Sequence, residues 1–134
     1  MNCLLQGDVG SGKTIVAYMS MLISIDSGYQ SCLMAPTEIL AQQHFKLIKN
    51  LSSKIGLRVE ILTGSINKSK RIPLLHDLKL GNIDILIGTH TLIEDPVVFK
   101  NLGLAVIDEQ HRFGVAQRSV LWKKNFLPPN ILVM

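Results

Sequence analysis

Residues 7–14 read GDVGSGKT and come just after the apolar stretch Cys3-Leu4-Leu5. This is the phosphate-loop pattern G-x-x-x-x-G-K-[ST], in which glycines let backbone N–H groups wrap around an anion where a helix begins. Lys13 can then reach the β- and γ-phosphates of a nucleotide, and the Thr14 hydroxyl is placed to bind Mg²⁺. The alternative is a glycine-rich turn that binds nothing. We predict a nucleotide-binding loop that consists of Gly7, Asp8, Val9, Gly10, Ser11, Gly12, Lys13 and Thr14.

Apolar runs that end in small polar clusters recur along the chain. After the first run, others begin at Cys32, Val59, Ile83 and Leu104, and a last one covers residues 131–134. Short runs of this kind are typical of strands buried on both faces of a parallel sheet. We therefore predict an α/β fold, a mostly parallel sheet flanked by helices, in one unit. Ligands of such sheets bind beyond the carboxyl ends of the strands, so the polar clusters should meet at one edge.

Helical patterns separate these runs. Helices are predicted over residues 14–26 and 38–51, and a third from near Pro73 to Lys79, with Gly81 ending it. A proline is acceptable in the first turn of a helix. The apolar positions at helical spacing are Ile15, Met19 and Leu22 on the first helix and Ala41, Phe45 and Ile48 on the second. Another helix is predicted over residues 115–123.

The composition excludes some classes of protein. A net charge of +4 and a pI near 9.2 permit an anionic partner without requiring one. The two cysteines, Cys3 and Cys32, lie in apolar runs without metal-ligand spacing, and we interpret them as reduced core residues of a cytoplasmic protein. Neither a signal-peptide pattern nor an apolar run long enough to cross a bilayer is present in the sequence.

An acidic pair, Asp108-Glu109, follows the apolar run at residues 104–107. A carboxylate at a strand end opposite a phosphate loop is the usual ligand of the Mg²⁺ ion of a nucleotide, directly or through water, and the next glutamate can deprotonate a water. Alone, such a pair is most often a solvated strand end. Together with the phosphate loop upstream, it predicts hydrolysis of ATP, with water as the acceptor of the phosphoryl group.

Five segments together resemble a known family. GDVGSGKT, APTEILAQQH, TGS, GTH and DEQHRFGV occur in the order and spacing of motifs I, Ia, Ib, Ic and II of superfamily 2 helicases, over nearly the whole chain. LLQGDVGSGKT with DEQHRFGVAQR looks like the RecG family, bacterial ATP-dependent DNA helicases that remodel stalled replication forks. Transcription-repair coupling translocases are similar, but they usually have Phe where Ser11 stands and Glu where Gln110 stands. These two residues favour the RecG family.

The resemblance implies a RecA-like P-loop NTPase domain with a role for each motif. Lys13 would bind the β- and γ-phosphates, while Thr14 and Asp108 would hold Mg²⁺. Glu109 would be the general base, which gives Glu109, Lys13 and Asp108 as the catalytic residues. Gln110 and His111 would couple the nucleotide state to neighbouring motifs.

The remaining motifs would form a path for DNA, where hydroxyl and amide groups contact the backbone without reading sequence. The implied contact residues are Pro36, Thr37, Thr63, Gly64, Ser65, Gly88, Thr89 and His90. Read without the family, Thr63-Gly64-Ser65 is an ordinary turn. Lys68, Lys70 and Arg71, placed in a loop beside it, could add contacts or form a solvated face. His44 and His76 are interpreted as helix-surface residues.

Related motors also contain parts that this sequence lacks. They hold ATP between two RecA-like domains, and RecG-type proteins add an N-terminal wedge domain that recognises branched DNA. We therefore interpret residues 1–134 as a partial helicase ATP-binding domain, from a truncated gene, a split reading frame or an excised fragment, and expect it to be inactive or very slow alone. Its expected partners are branched DNA and the second motor domain, and no membrane association is expected. An autonomous P-loop ATPase or kinase without a nucleic-acid role, and a non-catalytic nucleotide-binding remnant, remain the alternatives.

Overall fold

Six parallel strands form one sheet in the computed structural model, which describes residues 2–4, 11–94, 96–108 and 129–134, and their side chains except those of 2–4 and 11. The strands are β1 (Asn2–Leu4), β2 (Gln30–Met34), β3 (Val59–Leu62), β4 (Ile85–Gly88), β5 (Leu102–Ile107) and β6 (Asn130–Val133). Their order across the sheet is β1-β6-β5-β2-β4-β3. The predicted parallel α/β fold is confirmed.

Three helices connect the strands that the structure describes. They are α1 (Ser11–Asp26), α2 (Glu38–Ser52) and α3 (Lys68–Leu80), and a short 3-10 turn covers His90–Ile93. The side chain of Thr37 caps α2 by accepting a hydrogen bond from the N–H of Leu40 at 3.2 Å. Gly81 ends α3 with a φ of 83°, a left-handed conformation that glycine adopts without a Cβ penalty. No helix in the described ranges is long and apolar enough to cross a membrane.

The predicted start of the third helix near Pro73 is wrong. The helix begins at Lys68, because Asn67 supplies the N-cap by accepting a hydrogen bond from the N–H of Lys70 at 3.2 Å. Pro73 therefore lies inside α3, beyond the first turn, where it removes one helical hydrogen bond. The basic residues at the start of this segment belong to the first turn of α3 and not to a loop.

The predicted apolar face of α1 is wrong for Ile15 and Met19 and confirmed for Leu22, which packs against the core. Ile15 and Met19 are 42% and 58% exposed. Apolar residues occur on all sides of this helix, so helical spacing does not choose among its faces. The face that packs on the sheet consists of the buried Ala17, Tyr18 and Met21, with the partly buried Leu22 and Ile25 beside them. On α2 the prediction is confirmed, since Ala41 and Ile48 are fully buried.

The core lies on both faces of the sheet. Buried residues of α1 and α2 pack against one face, with Leu33, Ile85 and Val106 of the strands. Leu74 and Leu78 of α3 pack against the other face, which includes the buried Cys32. Alternation along the strands explains this division, because successive side chains of a strand point to opposite faces.

The carboxyl ends of the strands lie level with one another. Val133 of β6 pairs with Leu4 of β1 and with Ile107 of β5. Met34 of β2 pairs with Ile107 and with Gly88, which in turn pairs with Leu62 of β3. We call this row of strand ends the carboxyl edge. The polar segments that follow the described strands therefore start side by side, as the sequence predicts.

Candidate functional site

The first turn of α1 carries the described part of the phosphate-loop motif. Thr14 is 6% exposed there, and Lys13 is partly exposed. A Cβ added at Gly12 would meet no heavy atom of the described residues within 4 Å. Because the N-terminus of a helix has unpaired N–H groups and a partial positive charge, this turn is suited to bind an anion. The predicted residues Gly7, Asp8, Val9 and Gly10 and the Ser11 side chain lie outside what the structure describes.

Asp108 is the first residue after β5. Its backbone N–H donates to the carbonyl oxygen of Met34 at 3.0 Å, which fixes its position at the carboxyl edge. The side chain is 12% exposed, and its Oδ2 atom lies 3.3 Å from Nε2 of His44. The other predicted residues of this motif, Glu109, Gln110 and His111, and the helix predicted at residues 115–123, lie outside the described residues.

One strand separates the end of β1 from Asp108. Since Leu4 and Ile107 both pair with Val133, the end of β1 and the end of β5, which Asp108 follows, lie on either side of β6. Two strand spacings correspond to about 10 Å. A phosphate chain with a hydrated cation fits between groups at that separation.

The donors at this position fit Mg²⁺. This ion is usually held by one or two carboxylates together with substrate phosphates and water. Asp108 provides a carboxylate, and Thr14 provides a hydroxyl in the first turn of α1. No cluster of three or more His, Cys, Asp or Glu side chains occurs among the described residues, so these donors would form only part of the ligand set.

The interpretation of His44 as a helix-surface residue is wrong. Its side chain is 14% exposed and contacts the carboxylate of Asp108. The spacing contains the signal, because His44 follows Ala41 by three residues and precedes Ile48 by four, which places it on the buried face of α2. The interpretation of His76 is confirmed, since this residue is exposed on α3.

A hydrogen-bonded bridge joins the start of α2 to the loop after β3. The backbone N–H of Ser65 donates to Oε1 of Glu38 at 3.2 Å, and the hydroxyl oxygens of Thr63 and Ser65 are 3.2 Å apart. Hydrogen bonds from the side chains of Ser65 and Thr63, and from the Ser65 backbone, hold the pKa of Glu38 below its ordinary value. Two of the predicted DNA-contact motifs are therefore connected through a carboxylate.

The loop after β4 packs closely against the end of β3. A Cβ added at Gly88 would overlap the carbonyl oxygen of Leu62 and lie 2.8 Å from Cδ2 of Leu92, so a glycine is needed there. The hydroxyl of Thr91 donates to the same carbonyl at 2.8 Å and lies 3.4 Å from the hydroxyl of Thr89. This packing fixes the path of the loop.

The predicted DNA-contact residues divide into two groups by exposure. The exposed residues are Thr37, Gly64, Ser65 and His90, while Pro36 is half-buried and Thr63, Gly88 and Thr89 are buried. The exposed group can meet a bound strand, whereas the buried group shapes the loops that present it. The role of both groups stays a prediction.

A groove with basic residues adjoins this loop region. It has a volume of about 720 Å³, and its lining includes Phe45, Lys46, Lys49, Thr63 and Ser65. The ammonium group of Lys49 lies 5.2 Å from the ring centroid of Phe45. Arg71, a possible further contact, donates instead to Oε2 of Glu94 at 3.0 Å.

These features define a class of protein, a RecA-like P-loop domain. The sequence of the phosphate loop, the parallel sheet and a carboxylate two strands away are its distinguishing elements. The DEAD/DEAH box helicase family model matches residues 1–134, and the chain belongs to this family.

Individual relatives show which helicases of this family the chain is similar to. The chain is 54% identical over 135 residues to the ATP-dependent DNA helicase RecG of Aquifex aeolicus (strain VF5), covering 100% of this chain and 17% of that protein. It is 53% identical over 134 residues to the RecG helicase of Bacillus subtilis (strain 168), covering 100% of this chain and 20% of the relative. The chain therefore spans about a fifth of the length of these relatives.

Solved structures agree with this result. The structure of RecG bound to a three-way DNA junction matches 99% of this chain and 18% of its own, with a TM-score of 0.85 and 44% sequence identity. The structure of Mss116p DEAD-box helicase domain 2 bound to an RNA duplex matches 99% of this chain and 54% of its own, with a TM-score of 0.80. Its sequence identity of 18% supports the fold alone.

Proposed function

We propose that this chain is the ATP-binding part of a RecG-type DNA helicase, which couples ATP hydrolysis to the remodelling of branched DNA in replication fork repair and recombination. The main support is the level carboxyl edge, which brings the end of β1, Asp108 after β5 and the polar loops after β2, β3 and β4 into one row. Identity of 54% and 53% to RecG helicases over the whole chain supports the choice among helicases. We place the protein in the cytoplasm, where bacterial DNA lies.

Each residue near the nucleotide has a separate task in this proposal. Lys13 neutralises charge on the β- and γ-phosphates, and the N–H groups at the start of α1 bind the phosphate oxygens. Thr14 and Asp108 orient the Mg²⁺ ion, which stabilises charge on the transferring phosphoryl group. Glu109 takes a proton from the attacking water.

DNA would cross the other part of the carboxyl edge. The exposed hydroxyls of Thr37 and Ser65 and the ring of His90 are suited to phosphate contacts. Lys46 and Lys49, in the adjoining groove, add positive charge. A second RecA-like domain would close over the nucleotide and supply an arginine finger, and a wedge domain would select branched substrates.

The experiment compares a binding variant with a catalytic variant. The chain is tested in a chimaera, in which it replaces the matching 135-residue segment of the Aquifex aeolicus relative. Lys13→Ala should lower both ATP affinity and turnover, because it removes the cation that faces the phosphates. Glu109→Gln should leave ATP affinity within a few-fold of the parent while turnover falls about 10²- to 10⁴-fold.

Two exposed residues far from the carboxyl edge serve as controls. Lys79→Ala and Asp26→Asn make the same kinds of charge change at the ends of α3 and α1 and should leave both quantities unchanged. Calorimetry measures ATP binding, and a steady-state assay with and without junction DNA measures turnover. Parental turnover in Glu109→Gln would refute its role as the base, and parental ATP affinity in Lys13→Ala would refute the proposed nucleotide site.

A further inference from the structure

The contact between His44 and Asp108 joins two elements that the sequence treats separately. His44 lies in the middle of α2, and Asp108 follows β5, 64 residues later. Both side chains are largely buried, at 14% and 12% exposed. An ionised carboxylate only accepts hydrogen bonds, so Nε2 of His44 carries the hydrogen and donates to Oδ2. A hydrogen bond in such surroundings is stronger than one in water and restricts rotation of the carboxylate.

We propose that His44 is a positioning residue that fixes the carboxylate of Asp108 for Mg²⁺ and, through α2, connects it to the loop that contacts DNA. The inference rests on the proposed function, which assigns Asp108 to the ion and the loop at residues 63–65 to the strand. His44 itself touches neither ligand in this proposal. It acts by limiting the orientations available to Asp108.

The same helix provides the second half of the connection. Glu38, in the first turn of α2, accepts the hydrogen bond from the backbone N–H of Ser65. His44 follows six residues later on the helix, about 9 Å along its axis. Ala41 and Ile48, both fully buried, anchor the intervening and following turns on the sheet. Because Glu38 and His44 belong to one continuous helix, we expect a change in the bond between Glu38 and Ser65 to alter the hydrogen bond between His44 and Asp108.

The first experiment measures how strongly nucleotide binding depends on Mg²⁺. ATP affinity of the chain is measured by calorimetry at increasing Mg²⁺ concentrations and in EDTA. His44→Ala should raise the Mg²⁺ concentration for half-maximal binding by about 10-fold or more, as for other residues that orient a metal ligand. Affinity in EDTA should not change. His44→Gln keeps an N–H donor at the end of a side chain and should restore most of the Mg²⁺ response.

Two comparisons separate this role from packing. Gln43→Ala changes the exposed neighbour on α2 and should behave as the parent chain. Thermal unfolding in EDTA measures the fold of each variant without metal. Equal loss of affinity with and without Mg²⁺ in His44→Ala, or no recovery in His44→Gln, would make His44 a packing residue and overturn the inference.

Failure of the proposed function has a different signature. If the parent chain and its Lys13→Ala variant showed the same lack of ATP binding, there would be no nucleotide-bound ion for Asp108 to hold, and both proposals would fall. If the parent bound ATP in a Mg²⁺-dependent way and His44→Ala did the same, only the inference on His44 would fall.

The second experiment tests the connection through α2. In the chimaera, the ratio of ATP turnover with and without junction DNA is measured for Glu38→Gln, His44→Ala and the double variant. If both residues belong to one connection, the double variant should lose no more DNA stimulation than the more affected single variant. Independent, multiplied losses would overturn the connection, as would full stimulation in both single variants.

Discussion

The amino end of β2 and the carboxyl edge of the sheet hold polar groups in different ways. At the amino end, the buried side chain of Gln30 donates from Nε2 to the carbonyl oxygens of Leu78 at 3.0 Å and Ile83 at 2.9 Å. Its Oε1 atom accepts from the N–H of Asn101 at 2.9 Å. At the carboxyl edge three contacts join two side chains, and they are longer: Thr63 to Ser65 at 3.2 Å, His44 to Asp108 at 3.3 Å, and Thr89 to Thr91 at 3.4 Å. The hydroxyl of Thr91 also donates to the carbonyl oxygen of Leu62 there, at 2.8 Å.

This difference in hydrogen bonding indicates that polar groups at the amino end of β2 mainly stabilise the fold, whereas those at the carboxyl edge are available to bind ligands. The three partners of the Gln30 amide are backbone groups, which cannot rotate away as a side chain can, so these hydrogen bonds hold three segments in fixed positions. Hydroxyl groups at the carboxyl edge, such as those of Thr63 and Ser65, can exchange one partner for another when a phosphate arrives. We therefore expect polar substitutions at the amino end to change the free energy of unfolding, and those at the carboxyl edge to change ligand binding.

The largest effect on stability is expected for Gln30→Ala. This change removes the hydrogen bonds to the carbonyl groups of Leu78 and Ile83 in a buried setting and the part-buried one from the N–H of Asn101. It should lower the free energy of unfolding by about 2–4 kcal/mol. Urea denaturation measures the loss, with the exposed Gln42→Ala as the control. ATP affinity at a temperature well below the unfolding transition should match the parent. A loss of less than about 0.5 kcal/mol would remove the contrast between the amino end of β2 and the carboxyl edge.

A smaller effect on the free energy of unfolding is expected for Gly88→Ala, because the backbone is closely packed at this position of the carboxyl edge. The added Cβ would press against the carbonyl oxygen of Leu62 and the side chain of Leu92, at a cost of about 1–3 kcal/mol. Gly64→Ala is the matched control, because an added Cβ there meets no described atom within 4 Å. Equal stability of the two variants, measured in urea, would show that the loop after β4 yields easily.

The smallest effect is expected for Glu38→Gln, and it depends on pH. Because the folded state lowers the pKa of Glu38, the ionised side chain stabilises the fold above the ordinary pKa of about 4.3, and this contribution is lost as the pH falls through the folded value. The difference in unfolding free energy between parent and variant should therefore be present at pH 7 and shrink towards pH 3. Ser65→Ala, which removes the first of the hydrogen bonds, should reduce the difference.

Local patterns explain why the sequence predicts the strands and the carboxyl edge. Each strand is a short apolar run, and the parallel arrangement brings all their carboxyl ends to one side. The face of α1 was mispredicted because apolar residues surround that helix, and the choice depends on which side chains fit the sheet. Likewise, Asn67 caps α3 earlier than Pro73 alone indicates.

Long-range partners explain what the sequence does not predict at the site. The role of His44 depends on a carboxylate 64 residues away. The partners of Gln30 lie 48 to 71 residues away along the chain. Leu78 is in α3, Ile83 is in the segment between α3 and β4, and Asn101 precedes β5. Local spacing indicates that such residues are buried, but it does not name their partners. The phosphate loop is the opposite case, because its chemistry resides in eight consecutive residues.

Adjacent strands in a sheet are rotated against one another by about 20–25°. Five such steps separate β1 from β3 in the strand order. With the average twist, the directions of these two strands would differ by roughly 100–125°. The carboxyl edge of such a sheet is therefore twisted from one end to the other. A ligand at the end of β1 and a ligand at the end of β3 would therefore meet the carboxyl edge from different directions.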